Sequence, residues 1–308
     1  MKYLFGILLI IAPALSLADN KNGGSTWTDP DKAANENPDF LVQGEYTNAT
    51  GAIQVIALGR GTFQTSHYQG GLPGAGWDRS AITQKNGTTA EVEEILKGTK
   101  RVERKSPTLG QEPPADAVVL FDGKNADAWK KGKVFEGLLE SGTQTNDNFG
   151  DFQLHIEFRL PFKPDTTPGS QDRGNSGIYT HYRYETQVLD SFGLNYDIKS
   201  WKQKPPSDPK QWCGCLYKFK LADTNMSLPP LTWQTYDITF TAARFEGEKK
   251  VKNARITVLH NGVKIHDDVE LPKGTGAGGG KKEIPEGPIV LQGHGNPVRY
   301  RNIWIKEI

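Results

Sequence analysis

The stretch 151–160 alternates between apolar and polar side chains with a period of two, and this pattern limits the possible fold more than any other feature. Its apolar members are Phe152, Leu154, Ile156, Phe158 and Leu160. Because successive side chains of a β-strand point to opposite faces, these residues predict one buried face of a sheet. His155 and Glu157 point the other way, so we expect them on a solvated or surface face.

Similar short strand patterns recur after residue 117, and no long helical pattern interrupts them. The candidate strands are 118–121, 137–140, 151–160, 177–180, 184–190, 215–219, 235–241, 255–259, 263–269, 288–292 and 298–305. The dipeptide Asn261-Gly262 is a hairpin signal between two of them. About ten strands without a helix predict a β-sandwich or a barrel.

Changes in composition divide the chain into four predicted segments: a signal peptide at 1–18, a small β-rich module at 39–104, a proline-rich linker at 105–116 and a main domain at 117–308. The first combines Lys2 with a short apolar run and small residues before Asp19, which predicts export to a periplasm or the medium. That run is too short to span a membrane, so we expect no integral membrane segment after its removal. The one helix-like stretch of the module is 91–97.

Charge and cysteine content narrow the classes of partner and cofactor. The sequence has 37 Lys and Arg and 36 Asp and Glu, and removal of the predicted leader takes away Lys2 and no acid, which leaves 36 of each sign. A formally neutral protein has no field to attract nucleic acid or an anionic membrane, so we expect a neutral partner such as a sugar. Cys213 and Cys215 lack the four-ligand pattern of a structural zinc site, and we interpret them as small strand residues.

A series of separated motifs in the main domain resembles the 3-keto-glycoside lyase/hydratase family, formerly described as 3-keto-disaccharide hydrolases. The motifs are VLFDG at 119–123, GDF at 150–152, GNSGIY at 174–179, YETQVLDS at 184–191, WQTYD at 233–237, VLHNGV at 258–263 and GPIVLQGHGNPVRYRNI at 287–303. The resemblance implies a concanavalin-like jelly roll of two antiparallel sheets, one of them concave and open to a carbohydrate. It also implies that the substrate is a glycoside whose glucose C3 hydroxyl has already been oxidised to a ketone by a sugar 3-dehydrogenase.

A 3-keto group makes the hydrogen at C2 acidic, because its removal leaves an enolate. A base can take that proton while the aglycone leaves C1, which gives a 3-keto-2-hydroxyglucal that water can later hydrate. The protein must then supply a base near C2, an acid near the glycosidic oxygen, and positive or hydrogen-bonding groups around the enolate oxygen.

Most candidate residues for this chemistry lie in the motifs, and Lys218, Trp201 and Trp212 lie between them. Glu185 is the candidate base or metal ligand, and Gln187 on the same strand face is a candidate donor to sugar hydroxyls. His294, between two glycines, is the candidate acid, base or ligand near neutral pH. The predicted substrate contacts are Asn175, Tyr179, Asp190, Lys218 and Gln292, and Trp201 or Trp212 is a candidate stacking platform. Arg299 and Arg301 share one strand face and either stabilise an enolate or pair with an acid.

Two other functions fit these residues, namely a non-catalytic carbohydrate-binding module and an ordinary glycoside hydrolase. The spacing Glu185-x-Gln187-x-x-Asp190 is similar to the Glu-x-Asp-x-x-Glu run of β-glucanases. Its middle position is an amide here, which counts against hydrolysis by two carboxylates. A divalent cation could hold the C2 and C3 oxygens of the sugar, although no spacing of His, Asp and Glu amounts to a metal motif.

Overall fold

The computed structural model describes residues 24–80, 82–196 and 207–308, so the predicted signal peptide and Trp201 lie outside the described residues. The helices are Pro30–Glu36 (α1), Pro38–Val42 (α2) and Thr89–Leu96 (α3). The strands are Gly44–Thr47 (β1), Gly51–Gly59 (β2), Thr62–Gln69 (β3), Thr83–Thr88 (β4), Lys100–Val102 (β5), Val118–Phe121 (β6), Trp129–Lys130 (β7), Val134–Phe135 (β8), Leu138–Glu140 (β9), Thr143–Thr145 (β10), Phe152–Arg159 (β11), Ser176–Thr180 (β12), Tyr184–Val188 (β13), Trp233–Thr241 (β14), Arg244–Glu246 (β15), Lys249–Lys252 (β16), Ala254–His260 (β17), Val263–Leu271 (β18), Val290–Leu291 (β19) and Arg299–Glu307 (β20). Within the described ranges, no helix is long and apolar enough to cross a membrane.

Two antiparallel sheets pack face to face after residue 117. The larger has the order β18-β17-β14-β11-β20-β9-β8, with β6 also paired to β20, and the smaller has the order β13-β12-β19-β10-β7. The apolar face predicted at 151–160 is buried between them, in one cluster with Ile178 and Tyr184 of the smaller sheet. This architecture confirms the predicted all-β jelly-roll sandwich.

The hairpin between β17 and β18 also follows the prediction. Asn261 and Gly262 form its two-residue turn, and both adopt left-handed backbone with φ of 50° and 76°. Such a turn matches the right-handed twist of the strands that it joins.

The segment before residue 105 forms a separate sheet of order β4-β3-β2-β1-β5. The prediction of one helix-like stretch in the module 39–104 was incomplete, because α2 lies at its start, and α1 comes just before it. Each begins at a proline that follows a capping residue, Asp29 or Asn37. Helices of one to two turns are too short to give a hydrophobic period, so only these capping signals mark them in the sequence.

The predicted linker packs against the outer face of the larger sheet. The hydroxyl of Thr108 donates to Asp237 Oδ2 at 2.7 Å, and the backbone N of Gly110 donates to Glu157 Oε1 at 2.6 Å. The expectation that His155 and Glu157 lie on a solvated face was therefore wrong, since both are fully buried. Alternation fixes which way a side chain points, but it carries no information on what covers it.

The cysteines are free and buried, but they do not lie on a strand. The predicted strand 215–219 is a series of turns with isolated bridges at Leu216. Gly214 and Lys218 both have positive φ, 83° and 56°, which breaks the extended backbone that a strand requires.

Candidate active site

The smaller sheet turns a polar face away from the core. On β13, Glu185 lies opposite Tyr179 of β12, and Gln187 lies opposite Gly177. Directly opposite residues of antiparallel strands share a face, so these residues lie on one face of the sheet. A cavity of about 280 Å³ lies on that face and is lined by Gln171, Asn175, Tyr179, Glu185, Tyr217, Lys218, Gly276, Gln292 and His294.

Glu185 is the buried acid of this cavity. Its Oε2 accepts a hydrogen bond of 2.6 Å from the hydroxyl of Tyr179, whereas its Oε1 has no hydrogen-bond partner in the part of the chain that the structure describes. Burial raises the pKa of Glu185 to about 7, although the bond from Tyr179 and the charge of Lys218 act in the opposite direction. The carboxyl can therefore gain or lose a proton near neutral pH.

Gly177 and Gly276 have no side chain, and the carboxyl of Glu185 occupies the space that a side chain would fill at these positions. A Cβ at Gly177 would lie 2.3 Å from Glu185 Oε1, and one at Gly276 would lie 2.7 Å from Oε2. The loop that carries Gly276 is fixed next to β13, because the backbone N of Glu185 donates to the hydroxyl of Thr275 at 2.7 Å. Any larger residue at either glycine would have to displace the carboxyl.

A chain of amides forms the neighbouring wall of the cavity. Gln187 Nε2 donates to Asn175 Oδ1 at 3.1 Å, and Asn175 Nδ2 donates to Gln171 Oε1 at 2.8 Å. Gln187 itself is fully buried and does not line the cavity, so it orients Asn175 instead of meeting a ligand directly. On the other side, Gln292 Nε2 donates to the hydroxyl of Tyr179 at 3.3 Å.

Lys218 and His294 are exposed where the cavity meets solvent. The Lys218 ammonium lies 5.4 Å from the centre of the Tyr217 ring. His294 is held by its backbone, whose carbonyl accepts a hydrogen bond of 3.3 Å from Asn296. Of the predicted site residues, the structure thus gathers Asn175, Tyr179, Glu185, Lys218, Gln292 and His294 around one cavity.

Two predicted arginine contacts lie on the other sheet. Arg299 pairs with Glu140 at 3.1 Å, and Arg301 pairs with Glu157 at 2.6 Å. Both arginines belong to β20, so the expectation that they could reach the substrate is corrected in favour of the ion-pair alternative. A shared face is visible in the sequence, but the sheet to which a strand belongs is not.

Asp190 and Trp212 are also buried away from the cavity. Asp190 Oδ2 accepts a hydrogen bond of 2.8 Å from Arg173 Nε, and both side chains are about 1 % exposed. Trp212 is fully buried and its ring stacks on Tyr196, so it offers no face to a sugar. Asp190 was suggested by the β-glucanase-like spacing from Glu185, but it lies two residues after the end of β13 and is turned towards Arg173.

Sequence reasoning missed Gln171, Tyr217 and Gly276. The glycine belongs to the glycine-rich run 274–280, a signal that indicates close backbone approach, whereas the other two reach the cavity from turns without a periodic pattern.

A wider groove of about 520 Å³ adjoins the cavity through Tyr179 and Gln292. Its other lining residues are Lys130, Gly142, Thr143, Gln144, Tyr182, Val290, Leu291 and Gly293.

The donors around the cavity do not fit the predicted divalent cation. Glu185 and His294 are its only carboxylate or imidazole donors among the residues described, and nowhere in that part of the chain do three His, Cys, Asp or Glu gather as a metal cluster. The amide oxygens of Asn175 and Gln171 already accept hydrogen bonds. The chemistry of this cavity therefore rests on its side chains.

Comparisons with known proteins show the family to which the main domain belongs. Residues 116–306 match the family described as the 3-keto-alpha-glucoside-1,2-lyase-like domain. A crystal structure from Parabacteroides distasonis ATCC 8503, described as a putative glycosyl hydrolase, is 34% identical with a TM-score of 0.54, over 63% of this chain and 85% of that one. A second structure with the same description and source is 20% identical with a TM-score of 0.46, over 63% of this chain and 94% of that one. No curated protein matched. The matched region contains every residue that lines the cavity.

Proposed function

The chain belongs to the family of 3-keto-alpha-glucoside-1,2-lyase-like domains and is carbohydrate-active, and from that premise we propose that it cleaves 3-keto-glucosides by elimination across C1 and C2. The observation that carries the proposal is Glu185, a buried carboxyl with a pKa of about 7 and one oxygen that accepts no hydrogen bond from any residue that the structure describes. A base for an acidic C–H works best when its pKa lies near the working pH, which is where burial places this group.

In the first half of the reaction, ionised Glu185 takes the proton from C2. The electron pair of the C2–H bond passes into an enolate whose charge rests on the C3 oxygen, and the ammonium of Lys218 at the mouth of the cavity stabilises that charge. When the C3 ketone re-forms, a double bond forms between C1 and C2, and the bond from C1 to the glycosidic oxygen breaks. His294 gives the departing oxygen its proton.

In the second half, water adds to the 3-keto-2-hydroxyglucal that remains. The oxygen of water bonds to C1, and Glu185, whose proton exchanges with solvent once the aglycone has left, delivers a proton to C2. The proton lost by the water restores His294, so both groups end in their starting states and the net reaction is hydrolysis. The groove that adjoins the cavity through Tyr179 and Gln292 is where we place the aglycone.

An ordinary glycoside hydrolase is a weaker proposal for this cavity. Its mechanism needs two carboxyl groups, about 5 to 9.5 Å apart, on either side of the bond that breaks. Glu185 is the one carboxylate that lines the cavity in the described part of the chain, and Asp190 is engaged by Arg173. We further propose, from the leader-like residues 1–18 and the nature of the substrate, that the protein acts after export and downstream of a sugar 3-dehydrogenase.

The test is turnover of a purified 3-keto-glucoside by the wild type, Glu185→Gln and Glu140→Gln. The last variant removes a carboxylate that pairs with Arg299 outside the cavity, and it serves as the matched control. We expect the wild type and the control to release the aglycone, and Glu185→Gln to be slower by about 10² to 10⁴-fold, the usual contribution of a general base.

Two results would contradict the proposal. Binding of the keto sugar by the wild type without any turnover would make the protein a non-catalytic binding module. Cleavage of an unoxidised disaccharide as fast as the keto form would make it an ordinary hydrolase.

Turnover should persist when a chelator is added, since the donors around the cavity do not amount to a cation site.

A further inference from the structure

Arg173 is a fully buried arginine next to the cavity, and its contacts extend into the N-terminal sheet. Its Nε donates to Asp190 Oδ2 at 2.8 Å, and its Nη2 donates to the backbone carbonyl of Ala57 on β2 at 2.9 Å. Its Nη1 donates to the carbonyls of Pro164, at 3.3 Å, and Thr166. One guanidinium therefore joins three parts of the chain, namely the segment 164–175 to which Arg173 belongs, β13 with the residues that follow it, and the N-terminal sheet.

Two of those three parts carry residues of the cavity. Arg173 lies two positions before Asn175, and Asp190 lies two positions after the end of β13, the strand of Glu185 and Gln187. The amide bond between Gln187 and Asn175 connects the same two parts at the cavity wall. A displacement of the Arg173–Asp190 pair would therefore change the position of that wall.

The third part, the N-terminal sheet, makes a second contact close by. The hydroxyl of Ser66 on β3 donates to the carbonyl of Gly193 at 2.7 Å. Gly193 has a φ of 71°, and a Cβ there would lie 2.4 Å from Ile56 Cδ1 on β2. The segment that follows β13 thus lies directly on strands β2 and β3.

We propose that the N-terminal sheet is a positioning element of the active site, and that it holds the cavity wall in place through Arg173 and Asp190. The proposal rests on the function proposed above. Replacing a buried ion pair by apolar side chains is often neutral for stability, so fold stability alone gives little reason for such a pair. A guanidinium with four fixed acceptors does hold the segments that it joins in one relative position. A displacement of about 1 Å in an active site costs roughly 100-fold in rate.

A second ion pair, whose carboxylate is buried, provides the control. Glu45 and Arg104 lie 2.6 Å apart, the Glu45 side chain is 1% exposed, and neither residue lines the cavity. If Asp190 only stabilised the fold, Asp190→Asn and Glu45→Gln would both lower the melting temperature. The folded proteins would then turn over substrate at the same rate.

The experiment compares both variants with the wild type as full chains, at a temperature at which all three are folded. We expect Asp190→Asn to lower kcat for a 3-keto-glucoside by about 10- to 100-fold and to speed amide hydrogen exchange in 171–176, while Glu45→Gln keeps kcat within about twofold. Equal kcat and equal exchange in 171–176 for the two variants would overturn the proposal.

The test remains decisive if the Asp190→Asn variant does not fold or if the wild type has no turnover. If Asp190→Asn does not fold, Ser66→Ala removes the hydrogen bond to the Gly193 carbonyl and should still speed exchange in 171–176; unchanged exchange would count against the proposal. If the wild type has no turnover, the proposed function has failed. Exchange in 171–176 then decides the positioning role by itself, because it needs no substrate.

Discussion

The burial of Glu185 makes a prediction about stability that needs no substrate. Its pKa rises from 4.5 to about 7 on folding, so between these values the folded protein binds more protons than the unfolded chain. Under that condition the free energy of unfolding falls as pH rises. At about 1.36 kcal/mol per pKa unit, the ionised carboxylate costs about 3 kcal/mol of stability above pH 7.

The perturbation is Glu185→Gln, which keeps the shape of the side chain and cannot ionise. We expect the variant to gain stability relative to the wild type by about 2 to 3 kcal/mol when the pH is raised from 5 to 8. Urea unfolding at several pH values measures this difference.

Asp151→Asn is the matched control of opposite sign. The hydrogen bond from Arg244 lowers the pKa of Asp151 in the folded protein. The contribution of Asp151 to stability is therefore complete at any pH above the pKa of this residue in the unfolded chain, and it is lost only as the pH falls below that pKa. The difference between this variant and the wild type should stay constant from pH 5 to 8. A constant difference for Glu185→Gln as well would refute the reasoning, because Glu185 would then be an ordinary ionised carboxylate.

Three further predictions concern activity. The acid limb of the pH profile of kcat/KM should rise with an apparent pKa of about 7 in the wild type, because the base must be ionised. Tyr179→Phe removes the 2.6 Å hydrogen bond to Glu185 that favours the ionised form, so it should move that rise to higher pH; an unmoved profile would exclude Glu185 as the titrating group. Gly177→Ala places a Cβ 2.3 Å from Glu185 Oε1 and should cost about 100-fold in kcat, whereas Gly150→Ala, whose nearest neighbour is 3.8 Å away, should keep it; equal rates would contradict the packing argument.

The sequence was sufficient for the sandwich because its strongest signal is local. Alternation at 151–160 depends only on the geometry of a single strand, and the structure buries that face as expected. The motifs also carry five of the six predicted residues that line the cavity, and Lys218, which lies outside them, is the sixth. Their positions follow from pairing between β12, β13 and β19.

The predictions that failed depend on contacts between distant parts of the chain. The partner of Asp190 is Arg173, and the residues that cover Glu157 come from the segment 105–116. Arg301 points away from the cavity because β20 joins the larger sheet. None of these contacts leaves a period or a spacing in the sequence.

The measurement that tests the central claim most directly is deuterium at C2 of the sugar. The wild type is incubated with a 3-keto-glucoside in deuterated water, and the product is examined by proton NMR. Elimination followed by hydration predicts a deuteron at C2 in the wild-type product and none above the enzyme-free background with Glu185→Gln. Complete cleavage by the wild type with the C2 hydrogen retained would contradict the account, because the glycosidic bond would then break without removal of that proton.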